Sequence, residues 1–389
     1  MKKKISILGS TGSIGLSTLS IIDKKKNYFD INLLSANKNY RLILKQIKKY
    51  NPDFFVISDN IIYKKVKKKL NNNNTKIFNN FNFLKKNKKV DITVSAIPGI
   101  SGLEPTILII RNTKKLLIAN KEAIICGWDL IIKAAKKNKT IIVPVDSEHF
   151  SIQKLMDNHN IKEIKKIYIT ASGGPFLNFN KGQLKKITPE QALKHPKWKM
   201  GKKISIDSAT LMNKILELIE AQKLFDIPNN KIDILIHPNS LVHAILELNN
   251  GLTKFIYHQT SMIIPLANAI FDGNLNIKDF YYKKEKNVFE NLTFQNVDDK
   301  KFPIIKFKNR VNEHPSTAII INASNEILVD HFLRKKLPFL GIIQIIMNIL
   351  KDKKYKKYAI RRPINIYQIK KIDSWARYLT LKKIKKNYD

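Results

Sequence analysis

The start of the chain constrains its fold most. An apolar run at residues 4–8 leads directly into Gly9-Ser10-Thr11-Gly12-Ser13-Ile14-Gly15, and a stretch of helical length follows. Glycines at a tight strand-to-helix turn let the backbone approach a pyrophosphate, which the free N–H groups and dipole of the helix start then hold. The spacing is G-x-x-G-x-x-G rather than the commoner G-x-G-x-x-G, so a plain tight turn competes with a nucleotide site. The position at the head of a strand–helix–strand unit favours the nucleotide.

Strand-length apolar runs recur at 31–35, 54–57, 91–95, 115–119 and 140–143, with helix-length stretches such as 14–23 and 41–50 between them. This alternation predicts an α/β fold whose N-terminal domain, over residues 1–145, is a Rossmann-like doubly wound sheet. Runs at 164–170, 232–236, 242–248 and 252–257 predict a central α/β domain over 146–271, and Asn249-Asn250-Gly251 has hairpin chemistry. Residues 272–310 are polar and weakly patterned, as a connecting segment would be. Helical periodicity from Ser316 onward predicts a C-terminal helical domain over 311–389. The asparagine run at 71–74 reads as a low-complexity loop.

An apolar fraction of 43% is ample for packed cores, and 389 residues suit two or three domains. No apolar run reaches the roughly 18 residues of a membrane-spanning helix. The N-terminal run is too short for a signal-peptide core, and a lone cysteine, Cys126, excludes an internal disulfide framework. These features predict a cytoplasmic protein without a membrane partner. The formal net charge of +40 raises the question of nucleic acid, but only seven of the 71 basic residues are Arg. Nucleic-acid sites depend heavily on Arg and concentrate their charge on one face. Lysines spread along the whole chain fit compositional drift at exposed positions, so no nucleic-acid partner is expected.

The second strand ends in Ser35-Ala36-Asn37-Lys38-Asn39. An NAD enzyme usually has a carboxylate there for the ribose 2′-hydroxyl. Its absence, more than the presence of Lys38, favours NADPH. Val145-Asp146-Ser147-Glu148-His149 follows another strand, and in extended backbone Asp146 and Glu148 point the same way. Two converging carboxylates repel unless a cation or proton lies between them. The text from Asp207 to Glu217 opens a helix, on which Asn213 and Glu217 share a face beside Lys214. Three carboxylates without a thiolate suit a hard divalent ion, Mg²⁺ or Mn²⁺, with Co²⁺ a third candidate. Each carboxylate alone reads more readily as a salt bridge, and the three together carry weight only with the resemblance below. Ser172-Gly173-Gly174-Pro175 has the makings of a phosphate nest or of a simple glycine turn. Ser208 is a hydroxyl candidate for the same phosphate or an N-cap. His195-Pro196-Lys197-Trp198-Lys199-Met200-Gly201 reads as a loop able to close over a substrate, although Trp198 suits a core equally.

Taken together, the chain closely resembles the 1-deoxy-D-xylulose 5-phosphate reductoisomerases. The matching text is GSTGSIG at 9–15, ANKE at 119–122, PVDSEH at 144–149, SGGPF at 172–176, HPKWKMG at 195–201, KISIDSATLMNK at 203–214, IHPNSLVHA at 236–244 and NASNE at 322–326. The resemblance implies a bacterial, homodimeric enzyme that isomerises and reduces 1-deoxy-D-xylulose 5-phosphate to 2-C-methyl-D-erythritol 4-phosphate with NADPH and a divalent metal. It implies Asp146, Glu148 and Glu217 as metal ligands, and Lys121 and Glu148 as catalytic residues. Substrate contacts would come from Lys121, Ser147, Glu148, Ser172, His195, Trp198, Ser208, Asn213, Lys214, Glu217 and His243, with His149 lining the pocket. NADPH would meet residues 9–15, Asn37, Lys38, Asn39, Asn120, Glu122, Gly201 and Met262, while Trp198 and Met200 belong to the flap.

Five positions depart from the family text. Ile215 stands where a glycine usually follows the Asn-Lys pair, Asn37 replaces a glycine, and Thr260, Ser261 and Ile263 replace a Pro, an Asp and an Arg. These changes predict weaker NADPH binding than in a typical relative. The enzyme rival is another NADP-dependent dehydrogenase, of semialdehydes or sugars. A thioester-forming semialdehyde dehydrogenase would need Cys126 as nucleophile and would leave the carboxylates unexplained.

Overall fold

A computed structural model describes residues 2–70, 74–86, 88–198, 200–281 and 291–388. Residues 71–73 of the asparagine run and Lys199 of the flap segment lie outside them, as do residues 282–290 of the expected connecting segment. The chain forms two compact units.

The first unit comprises 2–124, 128–150 and 261–281 among the described residues. Its sheet is built from β1 (Lys3–Leu8), β2 (Phe29–Ala36), β3 (Phe54–Ile57), β4 (Lys76–Phe78), β5 (Val90–Ser95), β6 (Thr113–Ile118) and β7 (Ile141–Pro144). The order is β4-β3-β2-β1-β5-β6-β7, and every neighbouring pair is parallel. Parallel sheets are covered on both faces, which is why these strands read as nearly continuous apolar runs. The connections reverse direction between β1 and β5, and ligands of such sheets bind in the crevice beyond the strand ends at that point. β4, in Lys76-Ile77-Phe78, is too short for its pattern to be read from sequence; register with β3 places it at the edge.

The helix Ile263–Phe271 belongs to this unit, although the sequence placed residues up to 271 in the central domain. Leu266, Ala267 and Ile270 are buried in the same core as Ile7, Leu34 and Phe55. Lys115, on β6, reaches the carbonyl of Ala269 at 2.9 Å and Asp272 at 2.7 Å. Segment assignment by order along the chain cannot see such a return.

The second unit holds 125–127, 151–260 and 291–388 among the described residues. Its mixed sheet contains β8 (Ile164–Ala171), β9 (Ile232–Ile236), β10 (Val242–Leu248), β11 (Thr253–Tyr257) and β12 (Gln295–Asn296), ordered β11-β10-β8-β9-β12. The expected hairpin joins β10 and β11 antiparallel, and Gly251 turns the chain with φ +88°. Helices Thr317–Leu333, Phe339–Leu350, Tyr355–Ala359 and Ile366–Tyr388 form the predicted helical C-terminal part. Phe339 packs edge-on to both Phe176 and Phe332, with ring centroids 5.4 and 5.7 Å away.

Candidate functional site

In the first unit, β1 ends at Gly9, whose φ of +84° only glycine adopts easily. The Gly9 and Ser10 amides both donate to the Ser35 carbonyl, at 3.1 and 2.8 Å, locking the turn to the end of β2. A Cβ on Gly15 would stand 2.4 Å from the Gly9 carbonyl oxygen, and one on Gly9 would stand 2.6 Å from that of Ala96. These two glycines are demanded by the fold. Gly12 is different: it is exposed, its added Cβ would meet nothing closer than 3.4 Å, and it opens the helix Ser13–Lys24 without a side-chain cap. The first amides of that helix therefore face outward with open space beside them, which is the form of a diphosphate cradle.

Side chains in this region divide into those facing outward and those committed internally. Ser10 is fully buried; its hydroxyl donates to Gln46 Oε1 at 2.6 Å, and Gln46 Nε2 donates back to the Ser10 carbonyl at 2.9 Å. Gln46 thus braces the glycine turn, and only its place on the inward face of an amphipathic helix could have drawn attention to it. Asn39 caps the helix Tyr40–Tyr50 by accepting from the Leu42 amide at 3.2 Å. Asn37 and Lys38 are exposed beside it.

Asn120 is almost fully buried and caps the helix Lys121–Asn138. Its oxygen accepts from the Ala123 amide at 2.9 Å, and its amide nitrogen donates to the carbonyls of Ile97 and Gly99. Lys121 leaves this fixed point with its side chain nearly buried, and its Nζ lies 3.1 Å from Asp146 Oδ2. Asp146 and Glu148 do converge, with carboxylate oxygens within 4.8 Å of each other, but not by strand alternation. β7 stops at Pro144, Asp146 sits in a bend, and Glu148 lies in the first turn of the helix Ser147–Met156. The Phe150 amide donates to the Asp146 carbonyl at 2.8 Å, closing that turn, and Ser147 Oγ donates to Glu148 Oε2 at 2.6 Å. An extended reading failed here because the acidic residues start a helix, where negative charge is favoured. Met262 packs at the margin of this unit's core.

In the second unit, β8 runs into Ser172, Gly173 (φ +82°) and Gly174 (φ +66°). Ser172 Oγ accepts from the Gly174 amide at 3.1 Å and lies 3.0 Å from His195 Nε2. The amides of Lys197 and Trp198 both donate to His195 Nδ1, at 3.1 and 2.9 Å. With Nδ1 accepting, the neutral ring carries its proton on Nε2 and donates to Ser172. Burial first, and the charge of Lys214 second, lower the His195 pKa to about 4, so the ring is neutral at physiological pH.

The expected single helix from Asp207 is two. Lys202–Ala209 ends at Thr210, Leu211 takes a left-handed φ of +61°, and Met212–Phe225 begins. Ser208 therefore lies in a last turn, not at a helix start. A leucine in that conformation costs roughly 1–2 kcal/mol, and the abrupt joint aims the next residues inward. Asn213 and Lys214 are both almost buried; Lys214 Nζ is 2.6 Å from Glu217 Oε2, and Asn213 Nδ2 donates to Glu217 Oε1. Ile215 is fully buried within an unbroken helix, so the side chain is accommodated there. A Cβ on Gly174 would be 2.9 Å from the Ser208 carbonyl oxygen, so the Ser172 loop lies directly on the end of the shorter helix.

Trp198 meets His243 edge-on at 6.1 Å, and His243 stacks on His258 at 3.9 Å. His258, whose pKa burial lowers, was invisible in the sequence because nothing around it forms a motif. Gly201 is exposed at the N-cap of helix Lys202–Ala209 with nothing within 4 Å of an added Cβ.

Three family models match in chain order. That of the 1-deoxy-D-xylulose 5-phosphate reductoisomerase covers residues 5–127, that of its C-terminal domain covers 142–225, and the DXP reductoisomerase C-terminal domain covers 258–379. The 1-deoxy-D-xylulose 5-phosphate reductoisomerase of Pelagibacter ubique is 45% identical over 96% of this chain and 97% of its own. That of Wolbachia pipientis from Culex pipiens is 42% identical over 92% of each. Among solved structures, DOX-P reductoisomerase in complex with NADPH, fosmidomycin and magnesium superposes with a TM-score of 0.91 at 33% identity, covering all of both chains. The Zymomonas mobilis enzyme in complex with NADPH gives 0.85 at 32% identity over 99% of each chain.

Proposed function

The chain belongs to the 1-deoxy-D-xylulose 5-phosphate reductoisomerase family, and from that premise we propose how its residues divide the work of the reaction. The enzyme isomerises 1-deoxy-D-xylulose 5-phosphate and reduces the product to 2-C-methyl-D-erythritol 4-phosphate, in the supply of isoprenoid precursors. NADPH and a divalent cation are its cofactors, as they are in the superposed relatives. The single observation that carries the reading is the cluster of phosphate-type donors in the second unit, where Ser172 Oγ lies 3.0 Å from His195 Nε2 and the Ser172 loop rests on the turn that carries Ser208.

Ser172, His195, Ser208, Asn213 and Lys214 bind the substrate phosphate. Hydroxyls, an amide, an imidazole N–H and an ammonium make an all-donor set, and the ammonium adds the charge that strengthens the bonds to an anion. Anchoring the phosphate away from the reacting carbons holds the substrate in place through the rearrangement. Trp198 and Met200 close over it, and His243 supports Trp198 from below.

Asp146, Glu148 and Glu217 are the proposed metal ligands. The fit is chemical: all three donors are carboxylates, and the first-unit pair, Asp146 and Glu148, converges to within 4.8 Å beside the Lys121 ammonium. Magnesium or manganese held there would supply Lewis acidity to the substrate, and NADPH would supply hydride. Lys121, oriented by the Asn120 cap, donates to oxygens that gain negative charge during the rearrangement. Thr11, Gly12, Ser13 and Ile14 receive the NADPH diphosphate on their amides, and Lys38 meets the 2′-phosphate. Asn120 and Glu122 stand near the nicotinamide end, with Met262 and Gly201 completing the cofactor contacts. Asn39 assists Lys38 by fixing the start of its helix. The residues divide into an NADPH-binding segment to about 145, to which helix Ile263–Phe271 returns, a catalytic segment from 146, a connecting segment to about 310 and a C-terminal helical segment beyond it.

Two further features extend the proposal. The enzyme works as a homodimer, supported by β11, a sheet-edge strand on which Phe255 is 48% exposed, with Leu252 just before the strand 57% exposed. It works in the cytoplasm, supported by its one cysteine being a buried thiol outside any disulfide; no described helix is long and apolar enough to cross a membrane. The decisive experiment follows NADPH oxidation on adding 1-deoxy-D-xylulose 5-phosphate, with and without Mn²⁺, in wild type and Glu217→Gln. Turnover needing substrate and metal, and collapsing in the variant, is expected. A folded, NADPH-binding wild type without turnover would refute the assignment.

A further inference from the structure

The segment Asn322-Ala323-Ser324-Asn325-Glu326 has no place in the proposed chemistry, yet Asn322, Ser324 and Asn325 are all fully buried within the helix Thr317–Leu333. Burying amides and a hydroxyl inside a helix bundle is unfavourable unless they are used. Asn325 Nδ2 donates to Asp207 Oδ1 at 2.7 Å, and Asp207 is itself a fully buried carboxylate. Its other oxygen lies 2.8 Å from Lys203 Nζ, one turn back on the same helix.

The helix that carries Asp207 needs such an anchor. Lys202–Ala209 is eight residues long, contains two Ile, two Ser and an Asp, and starts at Gly201 with no side-chain cap. Helices this short and of such weak formers do not hold their geometry alone. Its last turn nevertheless carries Ser208, and the Ser172 loop rests on that turn without room for a Cβ at Gly174. The anchoring helix is fixed in turn: Glu326 accepts from Asn322 Nδ2 at 3.2 Å and from Arg377 Nη2.

We propose that Asn325 is a positioning residue of the phosphate site: by holding the Asp207 carboxylate it fixes Ser208 against the Ser172 loop. The inference rests on the reading of Ser208 as a phosphate ligand. Asn325 touches no substrate and acts only through Asp207.

The test uses the full-length enzyme with Asn325→Leu, the exchanged pair Asp207→Asn/Asn325→Asp, and Ser208→Ala. Asn325→Leu should raise the KM for 1-deoxy-D-xylulose 5-phosphate about tenfold, the size of one lost hydrogen bond to a charge. The thermal shift given by inorganic phosphate should shrink in parallel, with the NADPH Kd unchanged and kcat affected less than KM. The exchanged pair, which restores a donor–carboxylate bond in reverse, should recover most of the KM. If Asn325→Leu fails to fold, Asp207→Asn/Asn325→Leu supplies the same readings without a buried carboxylate oxygen that has lost its amide donor. Unchanged KM and phosphate response in a folded variant, or equal losses of NADPH and substrate affinity, would overturn the proposal. A raised KM in Ser208→Ala beside a normal one in Asn325→Leu sinks the positioning role alone. A normal KM in Ser208→Ala sinks the phosphate reading and this inference with it.

Discussion

Gly12 and Gly15 share one turn but serve different ends, and substitution separates them. Gly15→Ala drives a methyl into the Gly9 carbonyl at 2.4 Å, so a loss of about 2–3 kcal/mol and a lower Tm are expected. Gly12→Ala meets nothing closer than 3.4 Å and keeps an ordinary φ of −81°. It should melt like wild type yet bind NADPH about tenfold more weakly, because the methyl occupies the cradle; an unchanged Kd would show that the diphosphate does not rest there. His195 gives a second residue-level prediction. Its folded pKa lies below the unfolded value, so the unfolded chain binds the proton first, and the stability from this group is full above about 6.5 and lost as pH falls towards 4. An NMR titration of ligand-free enzyme should find the ring neutral, protonated on Nε2, between pH 5.5 and 8. A midpoint near 6.5 would contradict the buried setting.

At the scale of the element, the helix Met212–Phe225 presents Asn213, Lys214 and Glu217 on one buried face. Lys214→Met leaves the Glu217 carboxylate without its ammonium, which for a buried pair costs about 3–5 kcal/mol. The variant should lose substrate affinity and melt earlier, and Mg²⁺ should recover part of the Tm by restoring positive charge. Metal binding to the native state raises the Tm of wild type by mass action. That shift should vanish in Asp146→Asn, while NADPH still protects. A magnesium shift surviving in Asp146→Asn would remove Asp146 from the ligand set.

At the scale of the molecule, the exposed edge of β11 leads to a test of assembly. Phe255→Lys places charge on an edge strand, a substitution that blocks strand pairing. Light scattering should give a dimer for wild type and a monomer for the variant, and a dimer in both would move the interface elsewhere. The sheet order also explains where sequence reading succeeded. The glycine turn, the parallel strands, the hairpin at Asn249–Gly251 and the helical C-terminal part were legible because each is set by residues close together in the chain. The resemblance named Ser172 and His195, which the fold brings to 3.0 Å, and Asn213 and Lys214, which it buries on one helix.

What the sequence could not convey depends on contacts between distant residues. Helix Ile263–Phe271 joins the first unit because its apolar face completes that core, and no local pattern says which core an apolar face will choose. The break at Leu211 splits one expected helix in two because tertiary packing can hold a leucine left-handed, against its local preference. Asp146 and Glu148 meet through a helix start rather than along a strand, and Gln46, His258 and Asn325 gain their roles only from partners 15 to 118 residues away. Local chemistry, then, determined which elements form and which donors are present. Tertiary structure decided which of them are desolvated together, and so which polar groups act as ligands and which as braces, because the value of a charge or hydrogen bond depends on its surroundings.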